Sequence, residues 1–279
     1  MKRDSLQLWV GYPDDLLKGG AVAQCAALLS QEDHIRCQRF KFDRHRRESL
    51  TTRALLRNAL SHGSSVPPNS WRFTTNRYGK PALEPDCGLR FNTSNSIGLV
   101  VCLITEAAEL GVDVEPLSRA REILDLAAEV FSAAERAQLM ALALEKRLDR
   151  AISLWTLKEA YVKARGLGLA IPLDKFSFLF EPDGNIRLAT DHATDDQVER
   201  WRFFLLNHAG HRIASVVERS STEDFQMLEA RPAAVAPALL DGFAIQWYPR
   251  ESLCPSVGPT GAVPAGSEAE FAVGPPVRQ

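Results

Sequence analysis

The apolar pattern of this chain changes period in blocks, and the order of the blocks limits the fold more than anything else in it. Leu6-Gln7-Leu8-Trp9-Val10 reads as an opening strand. From about Ser30 to His62 the pattern is helical. Ser30 stands at an N-cap position with Glu32 and Asp33 in the first turn. A second helix of this region starts near Asp43, and Gly63 with Pro67-Pro68 closes it. Trp71 to Phe73 is a short strand, and Tyr78-Gly79-Lys80-Pro81 a turn in which Gly79 can take positive φ. Leu89 to Asn92 and Ile97 to Leu103 are predicted strands joined by a polar loop, Thr93-Ser94-Asn95-Ser96. Gly111 to Glu115 is the next strand, ended by Pro116.

Helices are then predicted over Arg121–Val130, Ala133–Leu144 and Asp149–Arg165. Ser132 and Glu135 have the spacing of a capping box, and Gly166 is the stop. Strands at Lys175–Phe180, Ile186–Ala189, Arg202–Leu206 and Arg212–Val217 follow, punctuated by Pro182-Asp183-Gly184. The sequence β, helices, β, helices, β predicts an α+β protein with two similar halves, 1–108 and 109–250, rather than an alternating parallel sheet. Residues 251–279, rich in Pro, Gly, Ala and Ser, are expected to be a disordered tail.

Bulk properties exclude several classes. The net charge of −2 gives no global reason to bind nucleic acid or a membrane surface. No apolar run approaches the ~18–20 residues of a membrane span, and Met1-Lys2-Arg3-Asp4 turns polar too early for a signal peptide. The five cysteines, without CxxC spacing, support neither a disulfide framework nor a zinc site. A cytoplasmic monomer is expected.

Asp113 and Glu115 are two apart on a predicted strand and so share one face. Glu159 and Lys163 are four apart on a predicted helix and also share a face. Three carboxylates and a lysine suit a hard divalent cation holding a phosphorylated substrate; without the helix, the strand pair is equally at home on a solvent face. Between Arg36 and Arg57 eight basic residues face two acidic ones, which can clamp phosphates or an acidic partner; a solvated helix face or a nucleic-acid surface are the alternatives. Lys80, on its turn, and the amides of the 93–96 loop can approach an anion. Trp155, one turn before Glu159, either walls a site or belongs to the core.

Together, Tyr78-Gly79-Lys80-Pro81, Phe91-Asn92-Thr93-Ser94-Asn95-Ser96, Gly111-Val112-Asp113-Val114-Glu115, Phe131 to Glu135, and Trp155 to Gly168 resemble, in order and spacing, the 4′-phosphopantetheinyl transferases of the surfactin-synthetase-activating class. The resemblance implies a pseudo-dimer of two α+β halves. The implied reaction is transfer of phosphopantetheine from coenzyme A to a serine of an apo acyl or peptidyl carrier protein, giving adenosine 3′,5′-bisphosphate. It implies Mg²⁺, with Mn²⁺ as the alternative, on Asp113, Glu115 and Glu159. It places Lys163 on the same phosphates, and Lys80, Pro81, Ser94, Asn95, Arg47 and Arg53 around the 3′-phosphate and adenine. For the proton of the carrier serine, Glu159 directly or Glu135 through a water is the expected base. One departure is evident: the family usually carries histidine where this chain has Asn95, which can donate a hydrogen bond but not a positive charge. A carrier-binding protein without catalysis is the rival that this departure suggests.

Overall fold

The structure, a computed structural model, describes residues 5–17, 21–62, 64–106, 108–182, 184–190, 197–218, 224–232 and 243–248. The expected tail, 251–279, lies outside the described residues. The chain opens with β1 (Ser5–Gly11), α1 (Pro13–Leu16), α2 (Ala21–Ala27), α3 (Gln31–Gln38) and α4 (Asp43–Ser61). Next come β2 (Phe73–Thr75), β3 (Pro81–Leu83), β4 (Leu89–Ser96), β5 (Leu99–Glu106) and β6 (Leu110–Pro116). The helices α5 (Ala120–Asp125), α6 (Ala127–Val130), α7 (Ala133–Met140) and α8 (Leu144–Arg165) follow. The strands β7 (Phe176–Phe180), β8 (Ile186–Thr190), β9 (Trp201–His208), β10 (His211–Glu218), β11 (Asp224–Pro232) and β12 (Phe243–Tyr248) complete it.

Two sheets lie back to back between two long helices. The first has strand order β12-β11-β1-β5-β4 and the second β6-β10-β9. Side-chain alternation sorts the residues into layers. Trp9, Val100, Cys102 and Ile104 point outward to Leu55, Leu56 and Ala59 of α4. Their neighbours Leu8, Val10, Val101 and Leu103 point inward to Val112, Val114 and Ile213 of the second sheet. Ala214 and Val216 face Leu157, Ala160 and Tyr161 of α8 on the far side. A strand covered on both faces needs apolar residues at every position, which explains the unbroken run of β5. Each half is thus a sheet with one long helix, as the pseudo-dimer expectation requires. No helix among the described residues is long and apolar enough to cross a membrane.

Several expectations need correction. The polar segment Thr93–Ser96 is not a loop. It continues β4, with Asn95 opposite Val100 and Ser96 opposite Leu99, and the turn falls on Ile97-Gly98, where Gly98 has φ +82. Alternate amides of the segment are therefore committed to the ladder with β5, and its side chains alternate between two faces. The long helix starts at Leu144, not Asp149, because its first turn presents no apolar stripe: Leu144 itself is exposed. The stretch expected as one helix over 121–130 is two, broken at Leu126, which has ψ 3. Strands β11 and β12 were not expected at all. They belong to the sheet of the first half, β11 pairing parallel with β1, although the division by sequence places them in the second.

Two polar clusters lock the helices. Arg57 is buried, and it donates to Asp33, Ser30 Oγ, Pro68 O and Trp71 O, tying α4 to α3 and the following segment. Lys158 and Glu135 are both fully buried. Lys158 Nζ donates to Leu173 O (2.7 Å), Phe176 O (2.6 Å) and Glu135 Oε2 (2.8 Å). Glu135 also accepts from Ser132 N and Phe178 N, completing the capping box expected from sequence. Lys158→Met leaves that carboxylate without its cation and is expected to cost ~3–5 kcal/mol in unfolding free energy, read from the denaturant midpoint.

At Gly111 the backbones of β6 and α8 come into direct contact. A Cβ on Gly111 would lie 2.0 Å from Ala160 O and 2.4 Å from Ala164 N, so only glycine lets the strand and helix backbones meet. Gly111→Ala is expected to cost ~3 kcal/mol, the upper end of ordinary overpacking, and to displace α8 from β6, read as lost stability together with lost activity.

Candidate active site

Where β6 and α8 meet, the side chains flanking Gly111 form a polar groove. Asp113 leaves the strand on the α8 side, and Lys163 leaves the helix to meet it, with Nζ 2.6 Å from Asp113 Oδ1. Ser94 Oγ from β4 donates to the same oxygen at 2.8 Å and accepts from Lys163 Nζ at 3.0 Å. The other oxygen, Asp113 Oδ2, is buried and has no hydrogen-bond partner. Glu159, one turn before Lys163 on the same helix face, stands close enough to feel both strand carboxylates. Burial pushes its carboxyl above the usual range, and the charge of Asp113 adds to this. Lys163 opposes the shift, and Glu115 contributes least.

Glu115 stands at the end of β6, largely covered, and is held by two other groups. Trp155 Nε1 donates to Oε1 at 2.9 Å, so this tryptophan belongs to the site rather than to the core alone. Arg119 Nη1 lies 2.8 Å from both Glu115 oxygens. Sequence reasoning missed Arg119; its spacing of four residues from Glu115 was the available signal.

A second concavity lies on the opposite side of β4. It is a cleft of about 420 Å³ lined by Arg36, His45 and Arg53 with Thr93, Asn95, Pro81 and Phe91. Strand alternation divides the 93–96 segment between the two places: Thr93 and Asn95 face the cleft, Ser94 the groove. Arg53 is anchored by Asp33 at 3.6 Å and lies over the Phe73 ring, 5.6 Å from its centroid. His45, on α4, brings an imidazole to the cleft that holds Asn95.

Three candidates from the sequence are placed elsewhere. Lys80 is not among the cleft-lining residues; its ammonium donates to Glu109 and to Ala164 O, at the C-terminal end of α8. Beside it Asn76 Nδ2 donates to Gly166 O at 2.8 Å, so the β2–β3 turn caps that helix. Arg47 pairs with Asp14 at 3.6 Å, outside the cleft lining. Glu135 is sealed against Lys158, with both its oxygens filled. Of the buried thiols, burial raises Cys25 to about 12 and pushes Cys102 upward too, so neither is a nucleophile at neutral pH.

Among the described residues no three carboxylate, imidazole or thiolate groups stand as a closed metal cage. The donor chemistry nevertheless fits a hard divalent cation. Asp113 offers a buried oxygen that nothing else uses, Glu159 resists ionising beside like charges, and all three candidate ligands are carboxylates. Glu115 completes the set only by sharing or leaving Arg119.

A family model described as the 4′-phosphopantetheinyl transferase superfamily matches residues 109–217, and one described as 4′-phosphopantetheinyl transferase, N-terminal, matches residues 20–107. A 4′-phosphopantetheinyl transferase of Bacillus subtilis is 30% identical over 185 residues, covering 66% of this chain and 80% of the relative. The 4′-phosphopantetheinyl transferase Sfp of Bacillus subtilis (strain 168) is 32% identical, covering 58% and 71%. The 4′-phosphopantetheinyl transferase HetI of a Nostoc species is 32% identical, covering 67% and 79%. Two matched models that meet around the groove, and relatives aligned over most of their own length, lead to one conclusion: this chain belongs to the 4′-phosphopantetheinyl transferase superfamily.

Proposed function

We propose that the chain carries out its family's reaction in the groove between β6 and α8, using the cleft beyond β4 for the nucleotide end of the donor. The enzyme moves 4′-phosphopantetheine from coenzyme A to a serine hydroxyl of an apo carrier protein and releases adenosine 3′,5′-bisphosphate. The observation that carries the site assignment is the convergence of Asp113, Glu159, Lys163 and Ser94, from three separate elements, around a buried oxygen with no partner.

Asp113 and Glu159, joined by Glu115, would hold Mg²⁺ or Mn²⁺, which when bound neutralises the pyrophosphate and makes its phosphorus more electrophilic. Lys163 is already supported by Asp113 Oδ1, Ser94 Oγ and Val112 O. By giving up the longest of these bonds, 3.3 Å to Val112 O, its ammonium frees one N–H for the phosphate that becomes the leaving group, stabilising charge as it develops. The carrier serine oxygen forms a bond to the phosphorus as the bond to the bisphosphate oxygen breaks. The serine proton would go to Glu159, on a carboxylate oxygen that the cation leaves free, while Glu135 has both oxygens filled and none to offer. A positioned base of this kind contributes ~10²–10⁴-fold.

In the cleft, Arg36 and Arg53 supply the positive charge for the 3′-phosphate, and Asn95 and Thr93 its hydrogen bonds. His45 provides, from the helix, the imidazole that position 95 lacks. Ser94 thus serves the pyrophosphate side rather than the 3′-phosphate. The partner is an apo carrier protein, and the acting species a monomer.

Asp113→Ala is expected to reduce transfer to a carrier at least 10²-fold, scaled to the loss of one directly placed charged group. It should also abolish the rise in melting temperature that Mg²⁺ gives the wild type. Mass spectrometry of an apo carrier incubated with coenzyme A and Mg²⁺ reads the first, differential scanning fluorimetry the second. Near-wild-type turnover would overturn the assignment. Arg53→Ala is expected to raise KM for coenzyme A ~10-fold or more while sparing KM for 3′-dephospho-coenzyme A, because the charged contact it removes exists only in the first.

A further inference from the structure

The three carboxylates of the groove are not equally prepared for a cation. Asp113 keeps one buried oxygen clear of any donor. Glu115 has donors on both oxygens: Arg119 Nη1 at 2.8 Å from each, and Trp155 Nε1 at 2.9 Å. The chain arranges this locally. Pro116 ends the strand, and the single 3₁₀ turn Leu117–Arg119 folds Arg119 back over the residue four places before it. The other edge of the guanidinium is taken by Glu122, with Nη2 2.6 Å from Oε1 and Nε 3.2 Å from Oε2. Arg119 therefore bridges one carboxylate inside the site and one outside it, on the surface.

We propose that Arg119 is a resident counter-ion for Glu115 that an incoming divalent cation must displace, so that this exchange, rather than the number of ligands, sets how tightly the site loads. The inference rests on the reading of the groove as a cation site. Three physical points carry it. With Arg119 on Glu115, two cationic side chains, Lys163 and Arg119, already offset much of the charge of the three carboxylates that would attract a cation. No closed cage of three ligands exists among the described residues while Glu115 is so held. Arg119 is about one-third exposed and already bonded to Glu122, so it can leave Glu115 without being stranded: its second partner sits in solvent. Swinging on that second bond frees Glu115 for the ion and carries one positive charge out of the groove as two enter. Trp155 stays bonded to Glu115 Oε1 and keeps the carboxylate aimed while the guanidinium leaves.

The experiment measures Mn²⁺ affinity of the full chain by calorimetry, without coenzyme A or carrier, for the wild type, Arg119→Ala, Arg119→Lys and Glu122→Gln. Removing the competing cation is expected to tighten Mn²⁺ binding about 10-fold in Arg119→Ala, the effect of one unit charge on a divalent ion at a solvent-screened site. Arg119→Lys, which keeps the charge but loses the fork, is expected to fall between the two. Glu122→Gln, which removes the charged alternative partner, is expected to weaken binding. In thermal unfolding, Arg119→Ala without metal is expected to melt below wild type and to gain more from added Mg²⁺. Weaker Mn²⁺ binding by Arg119→Ala would make Arg119 a splint that aims Glu115, and unchanged binding would make it a surface ion pair; either overturns the inference while leaving the cation site intact. A wild-type chain that binds no Mn²⁺ and yet transfers phosphopantetheine overturns both this inference and the cation reading, and one that does neither overturns the proposed function as well.

Discussion

The backbone contact at Gly111 is the constraint from which the site follows. Strands and helices ordinarily keep apart by the thickness of their side chains; here one missing Cβ removes that spacer, and β6 lies directly on α8. Asp113, two residues along the strand, then projects into the helix face instead of past it. Lys163 and Glu159 are the residues that face presents. A strand–helix packing at ordinary distance would leave the same side chains separated by a layer of water, and each would be an exposed charge of little consequence.

This contact also explains why the groove can hold so much charge in so little space. Around it the protein has invested in satisfied polar networks that do not take part in the reaction. Lys158, next to Glu159 in sequence and so about 100° round the helix from it, is sealed with Glu135 and two carbonyl oxygens. Asn76 and the Lys80 turn cover the exposed carbonyls at the far end of the same helix. With both its buried face and its terminus fixed, α8 presents its third face in one rotational setting, which is what a preorganised site needs.

How much of this was legible in the sequence depended on whether a signal was local. The Ser30 cap, the Ser132–Glu135 box and the Gly79 turn are spacings within one element or one motif, and the structure has them; that Asp113 of β6 meets Lys163 of α8 was legible only from the order of the motifs. The polar run Thr93–Ser96 misled because hydrophilic residues usually mark a turn; here it stays in a strand, with Thr93 and Asn95 lining the cleft on one side and Ser94 bonded to Asp113 on the other. Lys80 and Glu135 are engaged by partners that only the tertiary fold supplies, the last carbonyls of α8 with Glu109 and a buried ammonium, and no periodicity announces either. The same holds for Arg119, whose meaning comes from the carboxylate it meets.

The parallel pairing of β1 with β11 has a consequence for how such a chain comes into being. Strand β1 has one side covered by β5, but its other side waits for β11, which is made only after the whole of the second sheet. Until it emerges, a row of unpaired amides and carbonyls stays open to whatever strand comes near. Without β11 the N-terminal half has a bare edge along β1, and the return of β11 closes that edge with a strand made after the second half.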